Sequence, residues 1–288
     1  VNNEHPDNLQ TDTPQTDTLH TPSVVQTSEN PAVEPVGSVP EAFERLPGLG
    51  RSFGWMALFF FAYFVGVIVY LMGYGVVLGV EYAAQGITQP DQQAIEAQIQ
   101  QHLLSPNGLV GVYLMQCLIL IPLVFLASNF QRQSWRETLM FKPFAVPVLG
   151  YWVLVWLGFF VVETVLSRML DVDPGDFMRT LSGTRHLPVT LILIICAPLL
   201  EELIFRGYLF KAWRHSRLGL SGTLLLTSML FTMLHAAQYN WIILAMIFAL
   251  SVILGLAREK SGSIWVPIII HSLNNFVAAV TVVYFGWL

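Results

Sequence analysis

From residue 54 onward the chain alternates long apolar runs with short polar connections. The runs fall at 54–80, 108–127, 145–166, 187–209, 220–237, 240–257 and 264–286. About 20 apolar residues suffice to cross a bilayer as a helix, so the pattern predicts an all-α, polytopic membrane protein. The fifth and sixth runs are short and joined by little more than Gln238 and Tyr239, which suits a tight helical hairpin or a partly re-entrant pair. The connection after the first run is polar and Gln-rich, and its stretch Gln89 to Leu104 is expected to form a short surface helix. No internal repeat stands out.

Composition supports the same picture. Of 288 residues, 54% are hydrophobic and 11% charged, whereas a soluble domain carries about 25% charged residues. The net charge of −5 averages unlike regions. Residues 1–45 are polar and acidic, without Lys or Arg up to residue 40, and are read as a disordered tail with too little apolar surface to offset its ordering entropy. The tail has neither the basic start nor the apolar centre of a signal peptide. Residues 46–170 are expected to form an N-terminal set of transmembrane helices, and 171–288 a C-terminal membrane core. Nothing basic enough for nucleic acid is present, which leaves the lipid bilayer as the general partner. Cys117 and Cys196 each sit in an apolar run and read as helix-packing residues. Trp55, Trp152, Trp156, Trp241, Trp265 and Trp287 include candidate interface anchors.

Basic residues between runs set the orientation. Arg45, Arg51, Arg132, Arg136, Lys142, Lys211, Arg214, Arg217, Arg258 and Lys260 fall on one side, against Arg168, Arg179 and Arg185 on the other. The positive-inside rule then places the N-terminus in the cytoplasm and Leu288 outside, in what is expected to be a prokaryotic cytoplasmic membrane.

Against this background, polar residues inside the last runs demand an account. An ionisable group at membrane depth costs at least about 2.5 kcal/mol and is functional by default. The fourth run holds Glu201, Glu202 and Arg206; the fifth carries Phe231 and His235; the last carries His271, Asn274 and Asn275. Glu202 and Arg206 are four apart and share a helical face, so they are expected to pair. Glu201 lies about 140° around the helix from Arg206, which leaves it the better candidate for a protonatable carboxylate. Phe231 with His235 and His271 with Asn275 repeat the four-residue spacing, although Asn274 lies near enough to the same face to compete. Taken singly, each His or Asn is equally a helix–helix hydrogen-bonding group. Taken together, they suit a glutamate and a histidine activating water, with a second histidine and an amide donating to an oxyanion. This scheme needs no cofactor. The alternative is a divalent metal such as zinc on Glu201, His235 and His271, although no H-E-x-x-H motif is present.

The trio E-E-x-x-x-R, F-x-x-x-H and H-x-x-x-N, in this order on successive apolar segments, resembles the CPBP (CAAX protease and bacteriocin-processing) family over about residues 187–280, roughly a third of the chain. Phe205-Arg206-Gly207 and the Ile-rich run before His271 also look typical of it. The resemblance implies about seven to eight transmembrane helices around a polar intramembrane cavity, and peptide-bond hydrolysis as the activity. It assigns Glu201 and His235 to water activation and His271 and Asn275 to the oxyanion site, with Glu202, Arg206 and Phe231 holding the site together. The partner it implies is a membrane-associated polypeptide substrate. Two other classes stay open: a non-catalytic scaffold or bacteriocin-immunity-type protein, which would tolerate loss of Glu201, and a proton-coupled transporter using the Glu–His relay, which lacks the expected repeat symmetry. Depth counting is inconsistent with a single site, since Glu201 and His271 come out about 10 Å from one face at 1.5 Å per residue while His235 falls near the other. A tilted, broken or re-entrant helix is needed to bring them together.

Overall fold

The structure, a computed structural model, describes residues 48–130 and 134–286. The acidic tail with Arg45, Arg132 of the second connection, and Trp287 and Leu288 lie outside the described residues. Among the described residues every regular element is helical: α1 (Leu49–Ala84), α2 (Gln92–Leu104), α3 (Pro106–Asn129), the single turn α4 (Trp135–Thr138), α5 (Val146–Met169), α6 (Gly175–Leu181), α7 (Leu187–Arg214), α8 (Gly219–Leu234), α9 (Trp241–Ser261) and α10 (Trp265–Tyr284). Six of them, α1, α3, α5, α7, α9 and α10, are long and apolar enough to cross a membrane, and the protein is an integral membrane protein.

The fifth apolar run differs from expectation. Its helix, α8, has only 16 residues and ends at Leu234. At 1.5 Å per residue it is about 24 Å long, short of the roughly 30 Å hydrocarbon core. The apolar pattern continues through Ala237, but the backbone turns at His235, and Asn240 opens α9 by accepting the amides of Ile242 and Ile243. Among the described residues six helices are thus of spanning length, with α8 a shorter apolar helix in the place of the fifth run. The parity that sets the side of Leu288 depends on α8.

Enclosure is uneven. Helices α1, α3 and α5 leave most of their apolar side chains open, as in Phe61, Met72, Leu118 and Leu154, whereas α7 and α10 are the most buried. The main core cluster packs Phe59 of α1 and Leu120 and Val124 of α3 against Leu203, Phe205, Tyr208 and Trp213 of α7 and Phe231 of α8. A second cluster joins Trp152 and Trp156 of α5 to Leu250 and Leu254 of α9 and Val266 and Ile270 of α10. Trp152 and Trp156 are therefore core residues rather than interface anchors, while Trp241 is exposed. The helices richest in polar chemistry are the ones shielded from lipid, as an unpaired ionisable group requires.

Helix α2 appears where the polar connection predicted it. Asp91 caps its start, and Ser105 both closes α2 and caps α3. It docks on α1 through His102, whose Nε2 lies 2.7 Å from the Tyr70 hydroxyl and whose ring stacks on Tyr74 at 3.7 Å between centroids. Gly111 of α3 permits this, because a Cβ there would run into the Tyr70 ring. Burial holds the His102 imidazole below its ordinary value. Docking is then favoured by the neutral ring: its contribution is complete above the ordinary histidine value of about 6.5 and is lost as pH falls through the depressed one. Amide protection across Gln92–Leu104, taken relative to the intrinsic exchange rate at each pH, is expected to fall at acidic pH, and His102→Gln should remove that pH dependence.

Candidate active site

Two π turns shape α7, at Ile192–Cys196 and Leu203–Leu209. The first has a covalent cause. The Ala197 amide reaches back five residues to the Ile192 carbonyl, and Pro198 has no N–H to offer the carbonyl of Leu193. That carbonyl takes the Asn275 side chain of α10 instead, at 2.9 Å. In the second turn the Phe210 amide bonds Phe205 and Gly207. The intervening Arg206 carbonyl receives Nε–H of Arg258 from α9 at 3.0 Å. Such turns recur at functional sites because they free backbone groups and redirect side chains.

Glu202 and Arg206 pair as their spacing predicts. Arg206 Nη1 donates to Glu202 Oε1 at 2.8 Å, with both side chains essentially without solvent contact. Arg206 Nη2 donates to the carbonyl (3.0 Å) and hydroxyl (2.7 Å) of Ser251 on α9, and its guanidinium stands 4.7 Å from the Phe231 ring centre. Ser251 and Arg258 are seven apart and so share a face of α9; this face carries all three of these hydrogen bonds to Arg206. Arg258 was expected in a polar connection after a span ending at 257. It instead lies inside α9, buried, because its guanidinium has the Arg206 carbonyl and the Phe210 face, 4.6 Å away, as partners.

His271 lies between the two carboxylates. Its Nδ1 is 2.9 Å from Glu202 Oε1 and its Nε2 3.8 Å from Glu201 Oε2. The first is a hydrogen bond; the second is too long for one. Glu201 retains 17% side-chain exposure, whereas Glu202 retains none. Two neighbouring glutamates thus have opposite circumstances: Glu202 is fixed by two partners, and Glu201 is open.

His235 caps α8, and its Nδ1 lies 3.0 Å from the Phe231 carbonyl. A carbonyl only accepts, so Nδ1 carries the hydrogen and a neutral ring keeps Nε2 as an acceptor. The Phe231 ring meets His235 at 5.0 Å, His271 at 5.7 Å and Phe205 at 5.5 Å between centroids. The depth conflict resolves here. Helix α8 is too short to carry His235 to a far face, and Phe231 joins the two histidines. The structure therefore brings Glu201, Glu202, Arg206, Phe231 and His271 together directly, and His235 through Phe231. It places His271, rather than His235, beside Glu201. The asparagines separate cleanly: Asn274 accepts the Trp156 indole N–H at 3.1 Å, while Asn275 faces α7.

Sequence reasoning passed over two tyrosines. Tyr113 of α3 and Tyr239 after α8 both lie within the field of the Glu201 carboxylate. Burial, with the Glu201 charge adding, pushes the Tyr239 phenol up, so it stays a hydrogen-bond donor. Its ring stacks on His235 at 6.3 Å. Tyr239 was visible only as part of a short connection, and Tyr113 only as one aromatic in an apolar run. From outside, the Asn240 side chain donates to the Asp173 carbonyl at 2.9 Å, which ties the turn carrying His235 to the connection before α6. Among the described residues no group of three or more His, Cys, Asp and Glu side chains has an arrangement that could hold a metal ion, and one nitrogen of each histidine is already engaged.

Residues 183–277 match the family model described as type II CAAX prenyl endopeptidase Rce1-like. The match spans the α7–α10 segment that bears both π turns and both histidines, in agreement with the resemblance to the CPBP family. An uncharacterized 24.3 kDa protein of Escherichia coli is 33% identical over 130 residues, which cover 43% of this chain and 58% of that protein. The uncharacterized protein YpbD of Bacillus subtilis (strain 168) is 26% identical over 136 residues, 44% of this chain and 67% of that one. No solved structure matches the chain. The chain is thus an integral membrane protein whose residues 183–277 are similar to the CAAX-protease-like family.

Removing one member of a buried ion pair strands the other, at about 3–5 kcal/mol. Glu202→Gln and Arg206→Ala are therefore expected to lower folded abundance and thermal stability more than Glu201→Gln, which alters a partly open group. Thermal unfolding in detergent or nanodiscs checks the order, and equal stability of the three variants would contradict it.

Proposed function

We propose that the protein is an intramembrane endopeptidase that hydrolyses a peptide bond of a membrane-associated polypeptide with glutamate-activated water. The observation that carries this reading is the asymmetry of the glutamate pair: Glu202 is locked between Arg206 and His271, while Glu201 is open and 3.8 Å from His271. A general base needs a partly accessible, protonatable group held in place by groups that do not react.

In this mechanism Glu201 takes a proton from water, and the Nε2 lone pair of His235 holds the same water. The water oxygen bonds to the scissile carbonyl carbon. His271, as an imidazolium whose Nδ1–H rests on Glu202, donates from Nε2 to the developing oxyanion. The second amide hydrogen of Asn275 does likewise, the first being held by Leu193. The C–N bond then breaks, and the proton on Glu201 passes to the leaving amine. Loss of one oxyanion donor typically costs about 10²–10³ in rate, which is the expectation for Asn275→Ala. Tyr239 and Phe231 position His235. Every step uses the chain's own side chains, with no cofactor. The distribution of Lys and Arg supports an N-terminus on the cytoplasmic side.

The test compares protein termini in membranes holding the wild-type protein or Glu201→Ala at matched abundance. New cleavage ends confined to wild type are the expected result and would identify the substrate. Identical termini, in cells where deletion of the gene has a phenotype that Glu201→Ala rescues, would establish the scaffold reading instead.

A further inference from the structure

At the end of the bundle where α7 and α9 finish, three segments bring basic side chains together. Lys211 and Arg214 belong to the last turn of α7, Arg258 to the last turns of α9, and Lys142 to the connection before α5. This connection is pinned to the turn after α9, since the Ser263 hydroxyl donates to the Lys142 carbonyl at 2.6 Å and the Ile264 amide to the Met140 carbonyl at 3.0 Å. The basic groups sense one another: Lys211 lies in the field of both Arg258 and Lys142. Two carboxylates answer these four cations. Glu259 binds Arg214 at 2.6 Å and approaches Arg258 Nη1 at 3.5 Å, and Glu137 lies near Lys211.

The cluster thus carries an excess of two positive charges beside a largely apolar bundle. Its deepest member is incompletely satisfied. Arg258 is 4% exposed, yet its Nη2 is buried without a hydrogen-bond partner among the described residues. Its Nε is committed to the Arg206 carbonyl and its face to Phe210. Burial and the surrounding cations, Lys211 and Arg214, hold the His215 imidazole below its ordinary value, as excess positive potential requires. Aromatic rings stand at the same end, with Phe141 packed between Trp135 (5.4 Å) and Trp265 (5.2 Å). Indoles beside guanidinium and ammonium groups are the chemistry of the headgroup layer.

We propose that Lys142, Lys211, Arg214 and Arg258 form a binding site for a phosphate-bearing anion, met in the membrane as the headgroup of an anionic phospholipid. The anion supplies the missing countercharge at the mouth of the cluster, where Lys142 is exposed and Lys211 and Arg214 are half-buried. Its effect reaches inward through one residue. Arg258 grips the carbonyl of Arg206, whose side chain holds Glu202. Occupancy therefore stiffens the second π turn. The site stands apart from the proposed hydrolysis and holds whether or not the chain is a protease.

The test uses the full chain in nanodiscs of phosphatidylcholine alone or mixed with phosphatidylglycerol, with thermal unfolding and native mass spectrometry as readouts. The expected result is a higher melting temperature and retained phosphatidylglycerol in the mixed discs, with the preference weakened about five-fold for each cation removed in Lys211→Gln and Arg214→Gln. Arg168→Gln, at the opposite end of α5, should leave the preference intact. Inorganic phosphate added to phosphatidylcholine discs separates the sources: stabilisation by it, lost in the same variants, would support the site with a free anion as ligand. Equal stability in both lipids and no response to phosphate would overturn the proposal. So would a preference that survives the double variant, since it would then belong to another surface.

Discussion

A carboxylate with no solvent contact must have its charge answered inside the protein, and the arrangement of the last four long elements follows from how Glu202 meets that demand. Arg206 answers the charge from the same helix. The guanidinium then needs partners of its own, and α9 supplies Ser251. The remaining capacity of Glu202 Oε1 goes to His271, which fixes α10. Phe231 of α8 closes the cluster with its ring face against the guanidinium. Between lipid-facing helices apolar burial provides little driving force, so such hydrogen bonds and close packing are what specify the assembly. Here they converge on one ion pair.

This economy separates two residues that are adjacent in sequence. Glu202 is consumed by structure, whereas Glu201 keeps part of its side chain open. The division resembles other sites where neighbouring carboxyl groups acquire different roles from their surroundings alone. The buttress between two connections serves a related purpose. Asn240 and the backbone around Asp173 hold the turn that presents His235, a residue that would otherwise hang from the frayed end of a short helix.

Much of this was legible in the residues. The apolar runs located every long helix, the four-residue spacing foresaw the Glu202–Arg206 pair, and the three polar motifs identified the family that residues 183–277 match. What escaped had physical reasons. Ala236 and Ala237 continue an apolar pattern without continuing a helix, so α8 looked longer than it is. Arg258 sits two residues before Lys260 and read as part of a polar connection, because a hydropathy window cannot tell a charge facing solvent from one facing a carbonyl. The proximity of His271 to both glutamates depends on the approach of two distant helices, which no local spacing encodes. Asn274 and Asn275 were indistinguishable until Trp156 and Leu193 stood opposite them.

The π turns carry a consequence for how α7 is compared with other chains. Each holds one more residue than an α turn, so the helix contains two built-in insertions, and a single helical wheel drawn through 187–214 misplaces residues beyond the first by about 100° and those beyond the second by about 200°. A related chain one residue shorter before its glutamates would preserve the motif letters while turning both carboxylates away from His271. Gap placement in this stretch, more than residue identity, would then distinguish homologues that assemble the cluster from those that merely spell it.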